Sequence, residues 1–98
     1  MKSVLISLAI TGMLATGTAA ATEKLARASG CMTCHAVDKK LIGPGFKEIA
    51  AKYRGDQDAE ARLAQKVKAG SSRTWGTMAM PPNAHVKEAD IKVLVHWI

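Results

Sequence analysis

Aromatic side chains are scarce in this chain: two Trp, one Tyr and one Phe among 98 residues. So few rings offer little stacking surface for nucleic acid, and no nucleic-acid motif accompanies the 14 Lys and Arg that outnumber 8 Asp and Glu. Cysteine is limited to two residues and histidine to three. A structural zinc site needs four ligands at finger or ribbon spacing, and His85 and His96 are too far apart to complete a finger. Strand-like alternation is missing, which removes a thioredoxin-like dithiol. Long apolar runs are missing as well. The stretch beginning Val4-Leu5-Ile6-Ser7-Leu8-Ala9-Ile10 is broken by Gly12 and Thr16 and is too short to span a bilayer comfortably.

That first stretch has a different logic. Lys2 supplies a positive start, a short apolar core follows, and Gly17-Thr18-Ala19-Ala20-Ala21 offers small residues to a signal peptidase. Residues 1–21 therefore read as an export signal, cleaved after Ala20 or Ala21, with an uncleaved anchor as the alternative. The expected address is the bacterial periplasm, with no stable membrane insertion after cleavage. Residues 22–98 then form one domain, below the size of about 80 residues at which a single apolar core usually suffices. The formal charge of +6 falls by one when Lys2 leaves. A balance of this sign favours partners with acidic patches and electrostatically steered encounters.

The chemistry sits in Cys31-Met32-Thr33-Cys34-His35, a C-x-x-C-H run of the type that attaches haem covalently. Two thiols three positions apart lie about one helical turn apart on one side of the backbone, so each can add to one haem vinyl group. His35 follows as an iron ligand. A plain Cys31–Cys34 disulfide is conceivable in an oxidising compartment but leaves His35 unexplained. Haem would also be the staple that so small a domain needs, so the haem-free chain is expected to fold poorly.

The remaining pattern is helical. Thr22–Ala28 reads as a short helix with Thr22 as N-cap, stopped by Gly30. Lys39–Gly45 is a loop. Phe46, Ile49, Ala50 and Tyr53 form one apolar helix face before Gly55. Asp56 is an N-cap candidate for a helix with Ala59, Leu63 and Val67 on one face and Lys66 and Lys68 near its end, stopped by Gly70. Residues 70–85 are irregular, and a loop of that length in a compact domain is commonly functional. A last helix from about Lys87 aligns Ile91, Leu94, Val95 and Ile98, with Val93 and Trp97 broadening the buried stripe.

Electron-transfer haems often have His/Met ligation, in which the soft thioether raises the reduction potential. Met1 and Met13 lie in the export segment and Met32 inside the attachment motif, leaving Met78 and Met80. Met80 is favoured because Pro81-Pro82 stiffens the backbone behind it. His85 has the surroundings of a solvated turn, and His96 reads as a surface or packing residue.

On these residues the chain resembles the small bacterial periplasmic monohaem class I cytochromes c, the group that donates electrons to nitrite reductase or terminal oxidases. The likeness rests on Cys31–His35, Gly43-Pro44, Ile49-Ala50-Ala51-Lys52-Tyr53, Gly70-Ser71-Ser72, Trp75-Gly76 and Met80-Pro81-Pro82-Asn83. It implies an all-α class I cytochrome c fold, about four helices wrapped around one covalently attached haem with an exposed edge. It implies Cys31 and Cys34 as attachment points and His35 and Met80 as the iron ligands. It further implies that the Pro44 carbonyl orients His35, that Asn83 supports the sulfur ligand, and that Trp75 donates to a haem propionate. Pro44 could instead only shape a turn, and Trp75 could be core. Two departures stand out: Lys87 occupies the place of a helix-capping serine, and the chain stops a few residues before the family's last helix ends, so that helix frays or the sequence is a fragment.

The expected function is one-electron transport, not enzymatic turnover, with possible partners including nitrite reductase. Lys39 and Lys40 could rim the exposed haem edge or be ordinary solvated lysines. The alternative is a haem domain with an open distal site, acting as a peroxidase-like enzyme or gas sensor, with His85 as a distal polar group.

Overall fold

The computed structural model describes residues 18–98, so the export signal read over residues 1–21 lies outside the described residues up to residue 17. Four helices follow one another: α1 (Thr18–Ala28), α2 (Phe46–Tyr53), α3 (Ala59–Ala69) and α4 (Glu88–Trp97). A 3₁₀ turn, Cys31–Thr33, lies between α1 and α2. Among the described residues there is no strand, only an isolated antiparallel bridge between Ser71 and Met80. The all-α expectation holds.

Helix α1 starts a turn earlier than Thr22, which corrects its reading as an N-cap. Ala19, Ala20 and Ala21 have the highest intrinsic helix propensity, so the helix extends back through them. Thr22 is buried inside it, and its hydroxyl donates to the Thr18 carbonyl at 2.8 Å instead of capping an amide.

Asp56 also sits just outside its helix. Asp58 occupies the N-cap of α3 without a side-chain cap bond. The Asp56 carboxylate instead accepts from the Asp58 amide at 3.1 Å and from the Arg62 guanidinium. The hydrogen bond from Arg62 holds the Asp56 carboxyl below its usual range. Both side chains are solvated, so the pair contributes little stability.

Helix α4 is the hub of the packing, lying against both α1 and α3. Ile91, Leu94 and Val95 are buried along it, as their spacing predicts. Ile91 and Val95 meet Val86 and, from α3, Leu63, Ala64 and Val67. Val93 is 50% exposed, which corrects its place in the stripe. Two residues beyond Ile91 is about 200° around the helix, so Val93 points away from the core face. Trp97 is half-buried and meets Phe46 edge-on, with ring centroids 5.5 Å apart. The α4 N-cap is Lys87, which makes no side-chain cap bond because an ammonium cannot accept one.

Helix α2 is packed differently. Phe46 is buried, whereas Ile49 and Tyr53 on the same face line a cleft rather than a neighbouring helix. The protein core is correspondingly thin, with Ile91 the one large side chain fully buried among the described residues. Such a chain needs a large apolar body in that cleft to close its core. The haem-free polypeptide is accordingly expected to lose most of its helical circular dichroism and its cooperative thermal transition. A native helical spectrum without haem would show that the protein core suffices.

Candidate haem-binding cleft

The 3₁₀ turn forms directly after Gly30 and brings the attachment motif to the cleft. The amides of Cys34 and His35 both donate to the Cys31 carbonyl, at 3.3 and 3.0 Å. Cys31 and Cys34 line the cleft half-buried, with free thiols. Burial pushes the Cys31 thiol up from its ordinary value, against a smaller opposing backbone hydrogen bond.

His35 is the most constrained side chain here, 8% exposed. Its Nδ1 lies 2.7 Å from the Pro44 carbonyl oxygen, which can only accept. Nδ1 therefore carries a proton, and Nε2 is the ring nitrogen left to bind a metal. Phe46 stacks on the imidazole with centroids 5.3 Å apart. Gly43 packs against the ring so closely that a Cβ there would stand 2.7 Å from His35 Cε1. The loop carrying Gly43 and Pro44 is tied back to the motif by the Gly43 amide, which donates to the Cys34 carbonyl at 2.8 Å. Pro44 thus both shapes the loop and presents the acceptor.

The irregular segment after α3 supplies Met80. The Ser71 amide donates to the Met80 carbonyl at 3.1 Å, and the Met80 amide donates to the Ser71 carbonyl at 2.8 Å. Met80 is half-buried and lines the cleft, with Pro81 directly behind it. Met78 also lines the cleft but is 65% exposed, and no such bridge fixes it. Asn83 anchors the segment through backbone rather than sulfur: its Nδ2 donates to Val67 O at 3.0 Å and to Pro81 O at 3.3 Å.

Trp75 lines the same cleft, and the Lys52 ammonium stands 4.7 Å from its ring centroid, a cation–π contact that holds the indole from outside. Lys66 and Arg73 bring positive charge to the lining, and no Asp or Glu among the described residues joins them. His85 is elsewhere, with its Nε2 3.3 Å from the Ser29 carbonyl. His96 is on the surface beside the Glu60 carboxylate. Among the described residues no three His, Cys, Asp or Glu side chains gather as a metal cluster.

One imidazole with its tautomer set, one thioether on a pinned backbone and two free thiols thus border one cleft. That donor set fits a covalently attached haem and does not fit zinc, which binds thiolates and imidazoles in a tetrahedral cage.

Comparison with known proteins agrees. The family model described as cytochrome c matches residues 19–98. The chain belongs to the cytochrome c family. It is 52% identical over 91 residues to cytochrome c-551 of Allochromatium vinosum, covering 93% of this chain and 97% of that protein. It is 47% identical over 90 residues to cytochrome c-552 of Nitrosomonas europaea, covering 92% of this chain and 87% of the relative. The crystal structure of the wild-type Nitrosomonas europaea cytochrome c552 superposes with a TM-score of 0.75 at 48% identity, over 76% of this chain and 93% of the other. The fold is therefore that of the small class I monohaem cytochromes c, the cofactor is a single covalent haem c, and the protein is an electron carrier.

Cys31, Cys34, His35, Met80, Pro44 and Trp75 line one cleft, and Asn83, expected beside the sulfur, is bonded to Val67 and Pro81. The contacts of Gly43 with His35 and of Ser71 with Met80 close irregular loops, and that of Lys52 with Trp75 joins α2 to the segment after α3. Gly43, Lys52 and Ser71 stand in the runs that carry the family resemblance, but no spacing in the sequence pairs them with these partners.

Proposed function

We propose that the protein is a periplasmic one-electron shuttle in which His35 and Met80 take both axial positions of the iron, and which docks on redox proteins with acidic patches, nitrite reductase among the candidates. When bound, the haem supplies an iron that cycles between Fe(II) and Fe(III). The observation that carries the reading is the pairing, in one cleft, of an imidazole whose Nδ1 is committed to Pro44 with a methionine whose backbone is bonded twice to Ser71.

The protein residues then act by holding still. Pro44 keeps the His35 ring oriented by accepting from Nδ1, which leaves Nε2 as the nitrogen available to the iron. Ser71, Pro81 and Asn83 restrain the Met80 backbone, so the sulfur has little freedom to move when the charge at the metal changes. Trp75, steadied by Lys52, has an indole N–H to donate to a haem propionate. A haem held by both His35 and Met80 would have no coordination site left for a substrate, which favours electron transport over catalysis.

Charge supports the partner class. Glu23, Asp56, Glu60 and Glu88 are each engaged with Arg27, Arg62, His96 and Lys92 respectively, whereas the cleft lining carries Lys66 and Arg73 without an acid among the described residues. The open-site alternative draws no support from His85, whose ring is bonded to Ser29 away from the cleft.

Stopped-flow electron exchange with an acidic redox protein tests the reading. The second-order rate should fall by about tenfold or more between low and physiological ionic strength, as steered encounters do, while hydrogen peroxide turnover stays at background. A salt-independent rate combined with sustained peroxide turnover would overturn it.

A further inference from the structure

Lys68, in the last turn of α3, does something a terminal lysine need not do. Its ammonium donates to two backbone carbonyls of a distant segment, Val86 O at 2.7 Å and Ala84 O at 3.1 Å. Beside it, the Val67 carbonyl accepts from both the backbone amide and the side-chain amide of Asn83, at 3.1 and 3.0 Å. Residues 83–86 are thereby stapled to the end of α3 by four hydrogen bonds. The Val86 amide closes the same turn on Asn83 O at 3.1 Å, and Val86 is buried in the α3–α4 core.

Only Pro81 and Pro82 separate this staple from Met80. Each proline has its φ locked, so a displacement at Asn83 passes to Met80 with little absorbed between them. Lys68 itself does not line the cleft, and its ammonium bonds to carbonyls rather than to a carboxylate among the described residues. The α4 N-cap makes no side-chain bond, so nothing from Lys87 compensates if the staple opens.

We infer that Lys68 is a positioning residue for the sulfur ligand, holding Met80 on the iron from outside the cleft through the Asn83–Val86 turn. The inference rests on the reading of Met80 as ligand. An ordinary stabilising role, with the ammonium merely balancing the α3 dipole, predicts a lower melting temperature but unchanged ligand dynamics.

The test uses mature ferric holoprotein and follows the near-infrared thioether-to-iron band while imidazole displaces the sulfur. Lys68→Met keeps the apolar stem and removes the donors. It should speed imidazole capture by about tenfold or more, the effect of losing a charge-assisted hydrogen bond. Lys68→Arg should return the rate toward wild type, and Arg62→Met on the same helix should leave it unchanged. Should Lys68→Met fail to mature, Lys68→Gln permits the same comparison. A folded Lys68 variant with the wild-type capture rate, whatever its melting temperature, sinks the inference. A wild-type protein without the band sinks the Met80 reading itself, and this inference with it.

Discussion

Replacing Met80 with alanine is expected to abolish the thioether-to-ferric-iron band and to leave a haem that binds cyanide when oxidised and carbon monoxide when reduced. The reduction potential should fall, because the thioether favours Fe(II) and its loss leaves a harder ligand such as water or an imidazole in its place. A drop on the order of 0.1 V or more is reasonable within the roughly 0.8 V that axial ligation spans. The contrast is with Met78→Ala. Met78 borders the same cleft but is 65% exposed and its backbone lacks the Ser71 bridge, so that variant should keep both band and potential. Redox titration with absorption spectra of the two variants decides the matter. An unchanged band in Met80→Ala would remove sulfur ligation by this residue.

Gly70→Ala should be strongly destabilising. Gly70 ends α3 at φ 82° and ψ 166°, a region of backbone space that is essentially glycine's alone. A Cβ there would also meet the Met80 carbonyl oxygen at 2.9 Å and the Pro82 nitrogen at 3.0 Å. These are backbone atoms, and one of them belongs to a proline, so neither can swing aside. Strain of about 1–3 kcal/mol and a clash of about 1–3 kcal/mol add to a sizeable share of a small domain's stability, roughly 5–15 kcal/mol. Denaturant titration should therefore show a loss of about 2–6 kcal/mol, with the thioether band weakened under native conditions because the clash falls on Met80. Gly55 provides a comparison: its φ is also 82°, but a Cβ there would have no neighbour within 4 Å, so alanine should cost backbone strain without a clash and lose less. Equal losses at the two positions would mean that the tight approach to Met80 has no energetic weight.

Met80 and Gly70 differ in how far the sequence alone marks them. Met80 could be proposed as the ligand from sequence because the other methionines were set aside one by one and the Pro81-Pro82 pair marked a stiff support. The helices were legible from apolar spacing, and Ile91, Leu94 and Val95 are buried where that spacing puts them. Boundaries were less so. Thr22 and Asp56 both have the chemistry of an N-cap, yet one lies inside α1 and the other two residues before the N-cap of α3. Capping chemistry competes with whatever helix-forming residues lie upstream, and three alanines won at Thr22. At Asp56 the carboxylate was better satisfied by Arg62 and a nearby amide.

Asn83 illustrates the same divide at the site. Its position after Met80-Pro81-Pro82 marked it as support for the ligand, but its partners turn out to be the carbonyls of Val67 and Pro81. Lys68 carried no mark at all, since a lysine near a helix end is ordinary and its acceptors lie 16 and 18 residues away.

The sequence by itself determined the covalent chemistry: two thiols and an imidazole at a spacing that local backbone geometry converts into haem attachment, and one methionine with a rigid neighbour. It also determined four helices, because apolar periodicity is a local property of the chain. Only the tertiary structure decided which groups hold those reactive atoms in place. Lys52 over Trp75 and Lys68 on Val86 join residues far apart in the chain, and Gly43 against His35 and Ser71 paired with Met80 close irregular loops; local propensity does not encode which neighbour packing will deliver.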